Sequence, residues 1–270
     1  MTRIIDSHCH IYPDKIAAKA VGAISHFYEG LSWEHHDGTT DTLIRSGNEV
    51  GITHFVVHSV ATTPKQVSSI NHFIADKMNS ANGAFIGLGA MHPDSENMEA
   101  DVQEILALGL KGVKVHPDFQ KFQADSPKAF HMYEILEDAG LPLLMHTGDY
   151  RYDYSNPDRV ENILKNFPRL KLIGAHFAGW SVWEEAAKVL PGYPNLWVDT
   201  SSSFPCIKPE RAKELIRLYG SERVMFGTDY PLWVQQPDLD YMKKLELTDE
   251  EYENIYWKTC AKLYNLDLED

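Results

Sequence analysis

Cysteine is scarce: three residues in 270, Cys9, Cys206 and Cys260, widely spaced and without a Cys-x-x-Cys pair. An odd, scattered set gives neither a disulfide framework nor a thiolate zinc site, and fits a reducing compartment. Positive charge is also in deficit, with 25 Lys and Arg against 39 Asp and Glu and a formal net charge of −14. Such a surface repels phosphate backbones and anionic headgroups, so nucleic acid is not an expected partner. No apolar run approaches the roughly 18 residues a membrane helix needs. The first polar cluster begins at Asp6, which leaves no room for a cleavable leader, so the expectation is a cytoplasmic chain with no membrane partner. Gly-x-Ser-x-Gly, Gly-x-Gly-x-x-Gly and P-loop patterns are missing, which excludes a serine nucleophile elbow and gives no sign of a nucleotide cofactor.

What is present is a chain with 43% hydrophobic and 11% aromatic residues, enough for a sizeable core. Eight β-rich runs recur along it: RIIDSH, THFVVHS, AFIGLGAM, KGVKVH, LPLLMHT, LKLIGAH, NLWVDTS and RVMFGTD. Amphipathic stretches, mostly closed by Gly or Pro, separate the later runs. Strand and helix in alternation mean parallel strands with right-handed crossovers, in either an open doubly wound sheet or a closed barrel. Polar residues choose between them. His8, His10, His116, His146, His176 and Asp229 fall at or just beyond strand C-termini spread over the whole length, and only a closed ring brings the first and last of these to one mouth. The expected fold is a single-domain (β/α)₈ barrel over residues 1–270, with its active site at the C-terminal face.

In a strand, positions two apart share a face, so Asp6, His8 and His10 are expected on one side and Cys9 on the other. Two imidazoles about 7 Å apart along a backbone can reach one divalent ion. His146, His176 and Asp229 each end a run and are followed by turn residues that expose the side chain.

These motifs, DSHCH, GVKVHP, MHTG, GAHFAG and FGTDYP with the terminal NIYWKTCAKLYNL, resemble in kind and order the metal-dependent amidohydrolase superfamily. Within it they resemble the amidohydrolase-2 branch that contains aminocarboxymuconate-semialdehyde decarboxylase. The resemblance spans nearly the whole chain. It implies a (β/α)₈ barrel in which His8, His10, His146 and Asp229 hold one metal, while His176 acts beside it as base or acid. A donor set of His and carboxylate suits zinc, and also manganese or iron. Asp229 and His176 are the expected catalytic pair. The leading expectation is a hydrolase acting on a small ester, lactone or amide, the substrate bearing a carboxylate. The alternatives are a non-oxidative decarboxylase of a small unsaturated or aromatic acid, and a non-catalytic metal- or ligand-binding barrel.

Lys114 shares a strand face with His116. His116 is expected to line the pocket and Lys114 to pair with a buried carboxylate such as Asp6; the other reading of Lys114 is a carboxylated bridge to a second metal. His58 either faces the mouth or caps its strand. Arg151 could clamp a substrate carboxylate bidentately, and Trp180, Trp233 and Tyr12 are candidate pocket walls. Residues 27–40, rich in aromatic and polar side chains, read as a long first connection serving as lid or substrate wall. The partner is a small-molecule substrate, with a homodimer left open.

Overall fold

The computed structural model of the chain describes residues 3–28 and 36–268. Its strands are β1 (Ile5–His10), β2 (His54–His58), β3 (Phe85–Gly87), β4 (Gly89–Ala90), β5 (Val113–Val115), β6 (Leu143–Met145), β7 (Leu172–Gly174), β8 (Leu196–Asp199) and β9 (Val224–Met225). All pair in parallel, in the orders β1-β2-β3 and β4-β5-β6-β7-β8-β9. Two seams join these groups into a ring. At the first, β3 and β4 are halves of one strand that changes partner at Leu88: the Leu88 N–H donates to Val57 O, and the next, from Gly89, to Gly112 O, both at 2.9 Å. At the second, Ser7 donates to Phe226 O at 2.8 Å, Asp229 to His8 O at 3.0 Å and His10 to Tyr230 O at 2.7 Å. The result is the expected eight-stranded barrel with an α/β layer order, and each of the eight β-rich runs supplies one barrel strand.

An inner cluster of Ile5, Val56, Ile86, Leu88, Leu144, Ile173 and Met225 meets Cys260, Leu263 and Tyr264 from the helix Thr259–Tyr264. The closing helix therefore plugs the barrel end opposite the polar mouth. A larger cluster, holding Cys9, Phe55, Val57 and Val115, joins the outer strand faces to the surrounding helices. Gly87 and Gly89 let those helices approach: a Cβ at Gly87 would stand 2.8 Å from Leu110 Cδ2, and one at Gly89 2.7 Å from Ile105 Cγ1.

One expectation changes here. Asp6 does not share a face with His8 and His10. The register runs Asp6↔Phe55, then Cys9↔Val57, so β1 carries an extra residue in between, and this bulge reverses the alternation. The stretch 27–40 lies between two helices: Asp14–Phe27 precedes it, and Thr40–Glu49, capped by the Thr39 side chain, follows. Of the stretch read as a lid, residues 29–35 lie outside the described residues. Phe27 and Tyr28 are described, and they sit over the barrel mouth.

Candidate active site

The mouth encloses a small cavity lined by His8, His10, Lys114, His116, His146, His176 and Asp229, and roofed by Ile24, Tyr28, Phe119 and Leu232. Each polar member comes from a strand end or just past it, where the ladder stops and the side chain is free to turn inward.

Hydrogen-bond partners fix which nitrogen of each ring carries a proton. His8 Nδ1 donates to Asp199 Oδ2 at 2.8 Å, so its Nε2 presents a lone pair. That Nε2 is 3.1 Å from Lys114 Nζ and 3.4 Å from Asp229 Oδ1; His10 Nε2 is also 3.4 Å from Asp229 Oδ1. His116 Nδ1 accepts from the Phe119 N–H, so its Nε2 donates to Tyr28 Oη at 3.2 Å. The His176 Nδ1–H lies 2.8 Å from Ser201 O, and His146 Nε2 lies 3.1 Å from Gly148 O. Both carbonyls demand N–H donors. The facing nitrogens, His146 Nδ1 and His176 Nε2, are 3.0 Å apart and can hydrogen-bond only when a proton sits between them. In the neutral state both are acceptors, and one added proton would join the two rings.

Burial sets the charge states. It lowers His8 to about 4, Lys114 adding to the effect, and also lowers His10 and His176. His58, His116 and His146 fall well below the usual imidazole range for the same reason. Lys114, fully buried, falls to about 8 because burial outweighs the pull of Asp229 and Asp199. Burial works to raise Asp229 and Asp199, but the imidazoles around them hold both carboxyls below their ordinary value. Neutral imidazoles beside ionised carboxylates are the forms that bind metal.

The donor set fits a divalent ion. Ligands about 2.0–2.2 Å from one tetrahedral ion lie about 3.4 Å from each other, and that is the spacing of Asp229 Oδ1 from both Nε2 atoms. At that distance the His8 lone pair confronts a carboxylate oxygen, two acceptors that oppose each other unless a cation stands between them. Lys114 is a cation already drawn to this ring of acceptors.

The backbone is shaped to aim these groups. His176, Phe177 and Ala178 are left-handed in succession, with φ of 62°, 52° and 60°, and Asp229 has φ of 68°. L-residues resist this conformation, at about 1–2 kcal/mol each. Asp199 holds the turn: its Oδ1 accepts from the His176 N–H at 3.0 Å and the Ser201 N–H at 3.1 Å, and its carbonyl from the Phe177 N–H at 2.8 Å. Ser202 Oγ donates to Asp229 Oδ2 at 2.6 Å and accepts from Trp233 Nε1 at 2.8 Å.

Several expected roles shift. Lys114 does not pair with Asp6, whose carboxylate accepts from the Thr228 N–H at 3.0 Å and hydroxyl at 2.6 Å, on the other side of the bulged strand. Arg151 is not a free carboxylate clamp: Nε and Nη2 grip Asp149 at 3.0 and 2.7 Å, and Nη1 donates to Phe27 O at 2.8 Å. Its guanidinium lies 5.0–5.6 Å from the rings of Phe27, Tyr28 and Trp180, fastening the roof. Trp180, Trp233 and Tyr12 are absent from the cavity wall. Trp180 packs behind Tyr28, Trp233 acts through Ser202, and Tyr12 lines a separate apolar groove. Sequence reading missed Asp199, Ser201, Ser202 and Tyr28. Asp199 carried a usable signal, a carboxylate ending a β-rich run as Asp229 does.

The chain is 24% identical over 209 residues to the 2-amino-3-carboxymuconate-6-semialdehyde decarboxylase of Dictyostelium discoideum, covering 60% of this chain and 55% of that one. It thus spans about half the length of that curated relative. An uncharacterised TIM-barrel protein of Bordetella bronchiseptica superposes with a TM-score of 0.82 at 20% identity, over 98% of this chain and 99% of that one. The 5-carboxyvanillate decarboxylase of Sphingomonas paucimobilis gives 0.76 at 16% identity, over 98% and 99%. Barrels of the same shape are described as decarboxylases and, in one case from Pseudomonas putida, as a "putative 2-pyrone-4,6-dicarboxylic acid hydrolase", and one decarboxylase holds manganese. A family model described as amidohydrolase matches residues 5–266, and the chain belongs to the amidohydrolase family.

Proposed function

We propose that the chain is a metal-dependent hydrolase that adds water to a small ester, lactone or amide. The observation that carries this reading is Asp229 Oδ1 standing 3.4 Å from Nε2 of both His8 and His10. A divalent ion, zinc or manganese, would supply Lewis acidity there, polarising a carbonyl and acidifying water. The residues around it supply the proton chemistry. Asp229 is an ionised acceptor held in place by Ser202. His176, its Nδ1 proton directed to Ser201 O, presents a basic Nε2, and His146 beside it passes the proton onward. In the resting state these groups are acceptors, which suits deprotonation of water. Arg151 is committed to Asp149, so a substrate carboxylate would need another partner.

A second reading, non-oxidative decarboxylation, is favoured by the roof of Ile24, Tyr28, Phe119 and Leu232, which keeps water from a carbanion-like centre. The decarboxylases of similar shape support it as well. In that case the His146–His176 pair, once protonated, would deliver its proton to carbon.

The experiment is turnover of a panel of lactones, esters, amides and unsaturated or aromatic acids, with acid release and carbon dioxide recorded separately. Hydrolysis with His176→Asn inactive yet still metal-loaded is the expected result. Carbon dioxide without hydrolysis would replace the first reading with the second.

A further inference from the structure

The cavity beneath the roof is small, about 10 Å³, which is room for about one water molecule. A substrate of the proposed class must therefore lay its bulk elsewhere. Ile24 and Phe119 line this cavity and also a second space, an open groove of about 630 Å³, within the ordinary range of small-molecule sites. Its walls come from the helices Asp14–Phe27, Val67–Ser80 and Pro117–Gln120. In the first of these, Ala17, Val21 and Ile24 are buried, whereas Ile16, Ala20, Ala23 and Phe27 recur at i, i+4, i+7 and i+11 and line the groove. Ile16 is left 44% exposed, so this second stripe is an apolar face open to a ligand. One buried polar group joins it. Asp118 lines the groove with its side chain buried; Oδ2 accepts from Ser155 Oγ at 3.0 Å, and Oδ1 has no hydrogen-bond partner. Buried polar atoms are normally satisfied, and a donor brought into the groove would satisfy this one. Asp118 Oδ2 is also 3.8 Å from His146 Nε2, which places the carboxyl between the groove and the cavity histidines.

We propose that the groove is the second compartment of the active site, and that it takes an apolar arm of the substrate, aromatic or branched, carrying a hydroxyl or amino donor for Asp118 Oδ1. This inference rests on the hydrolase reading above and names what its substrate carries besides the scissile bond. Phe119 is the wall between the compartments. Its ring stacks on His116 at 3.7 Å and meets Phe27 edge-on at 4.7 Å, contacts that a ring rotation exchanges for contacts with the arm. Burial of the arm then supplies binding energy that holds the reacting group over the cavity histidines. A second copy of the chain is a poorer occupant, because a flat protein face does not carry a donor down to a side chain in a residue only 2% exposed.

The test uses the full chain without metal and two uncharged probes, 4-phenylbutan-1-ol and its methyl ether, followed by ligand-detected NMR and calorimetry. The alcohol offers a donor and the ether does not, and neither carries a charge for the exposed Lys15 and Lys121 on the groove. The alcohol is expected to bind, and the ether about 10-fold or more weakly, because it leaves the buried carboxyl oxygen unpaired. Asp118→Ala is expected to erase that preference, and Asp118→Asn to keep part of it, since the amide oxygen still accepts. Ala20→Phe fills the groove from the open stripe of its helix and is expected to abolish binding of both probes; it keeps the inference testable should Asp118→Ala not fold. In the manganese-loaded parent the proton signals of bound alcohol are expected to broaden, since groove and cavity share a wall. Equal affinities for the two probes, binding undiminished in Ala20→Phe, or a dimer that Ala20→Phe dissociates overturns the inference. The probe affinities are read without turnover, so a chain that binds the alcohol as described but hydrolyses nothing in the panel loses the hydrolase reading and keeps the groove.

Discussion

Asp199 Oδ2 accepts the Nδ1 proton of His8 at 2.8 Å, across 191 residues of chain, while its other oxygen holds the backbone of His176. One carboxylate thereby selects the tautomer of His8 and shapes the turn that carries His176, the base of the proposed mechanism. Asp199→Asn keeps the volume but loses the charge that fixes both. We expect zinc affinity to drop by about 10–100-fold, read by chelator competition. Unchanged affinity would show that His8 keeps its orientation without Asp199.

Arg151 and Asp149 form a pair with side chains 10% and 0% exposed. Arg151→Ala leaves Asp149 buried without its cation and releases Phe27 O and the roof. The expected loss in stability is about 3–5 kcal/mol, measured by urea unfolding, with metal content retained. Arg151→Lys should recover part of it, since an ammonium cannot reproduce the two-pronged grip. A loss confined to KM, with stability intact, would restore the substrate-clamp role.

Gly148 has φ of 79°, and a Cβ there would stand 2.7–2.8 Å from backbone atoms of Gly179 and Trp180. Backbone cannot retreat as a side-chain tip can. Gly148→Ala is expected to destabilise by more than about 2 kcal/mol through strain and displacement of the GAHFAG turn. A melting temperature equal to the parent's would contradict the close packing of these two loops.

Burial pushes the Asp238 carboxyl well above its ordinary value, with Asp6 and Asp229 adding to the effect. A raised carboxyl means that the folded state binds the proton more tightly than the unfolded chain does. Stability from this group is therefore complete below the ordinary carboxylate pKa and is lost as pH rises toward the raised one. Asp238→Asn should flatten that decline, so that its advantage over the parent grows as pH rises above the ordinary carboxylate value. Parallel stability curves for the two proteins would refute the assignment.

How much could be read from the chain differs between elements. The barrel was legible because strand ends repeat a pattern: an apolar run, then His or Asp, then turn residues, as at His146, His176 and Asp229. The helix Asp14–Phe27 was not read from the sequence, where the polar cluster before it and the aromatic stretch 27–40 after it stood out. The bulge in β1 left no mark either, since a register shift is a relation between two strands and not a property of one.

The sequence by itself determined the parallel β/α alternation, the closure into one ring and the set of chemical groups gathered at its mouth, because hydrophobic periodicity and strand-end polarity are local. Tertiary structure alone decided which of those groups meet: Asp6 turned to Thr228, Arg151 bound to Asp149, Asp199 joined to His8, and His58 left facing His8 and His10 with both nitrogens unsatisfied. Such pairings depend on ångström-scale distances between residues as much as 222 positions apart, set by how strands register and helices pack, and no short stretch of chain encodes them.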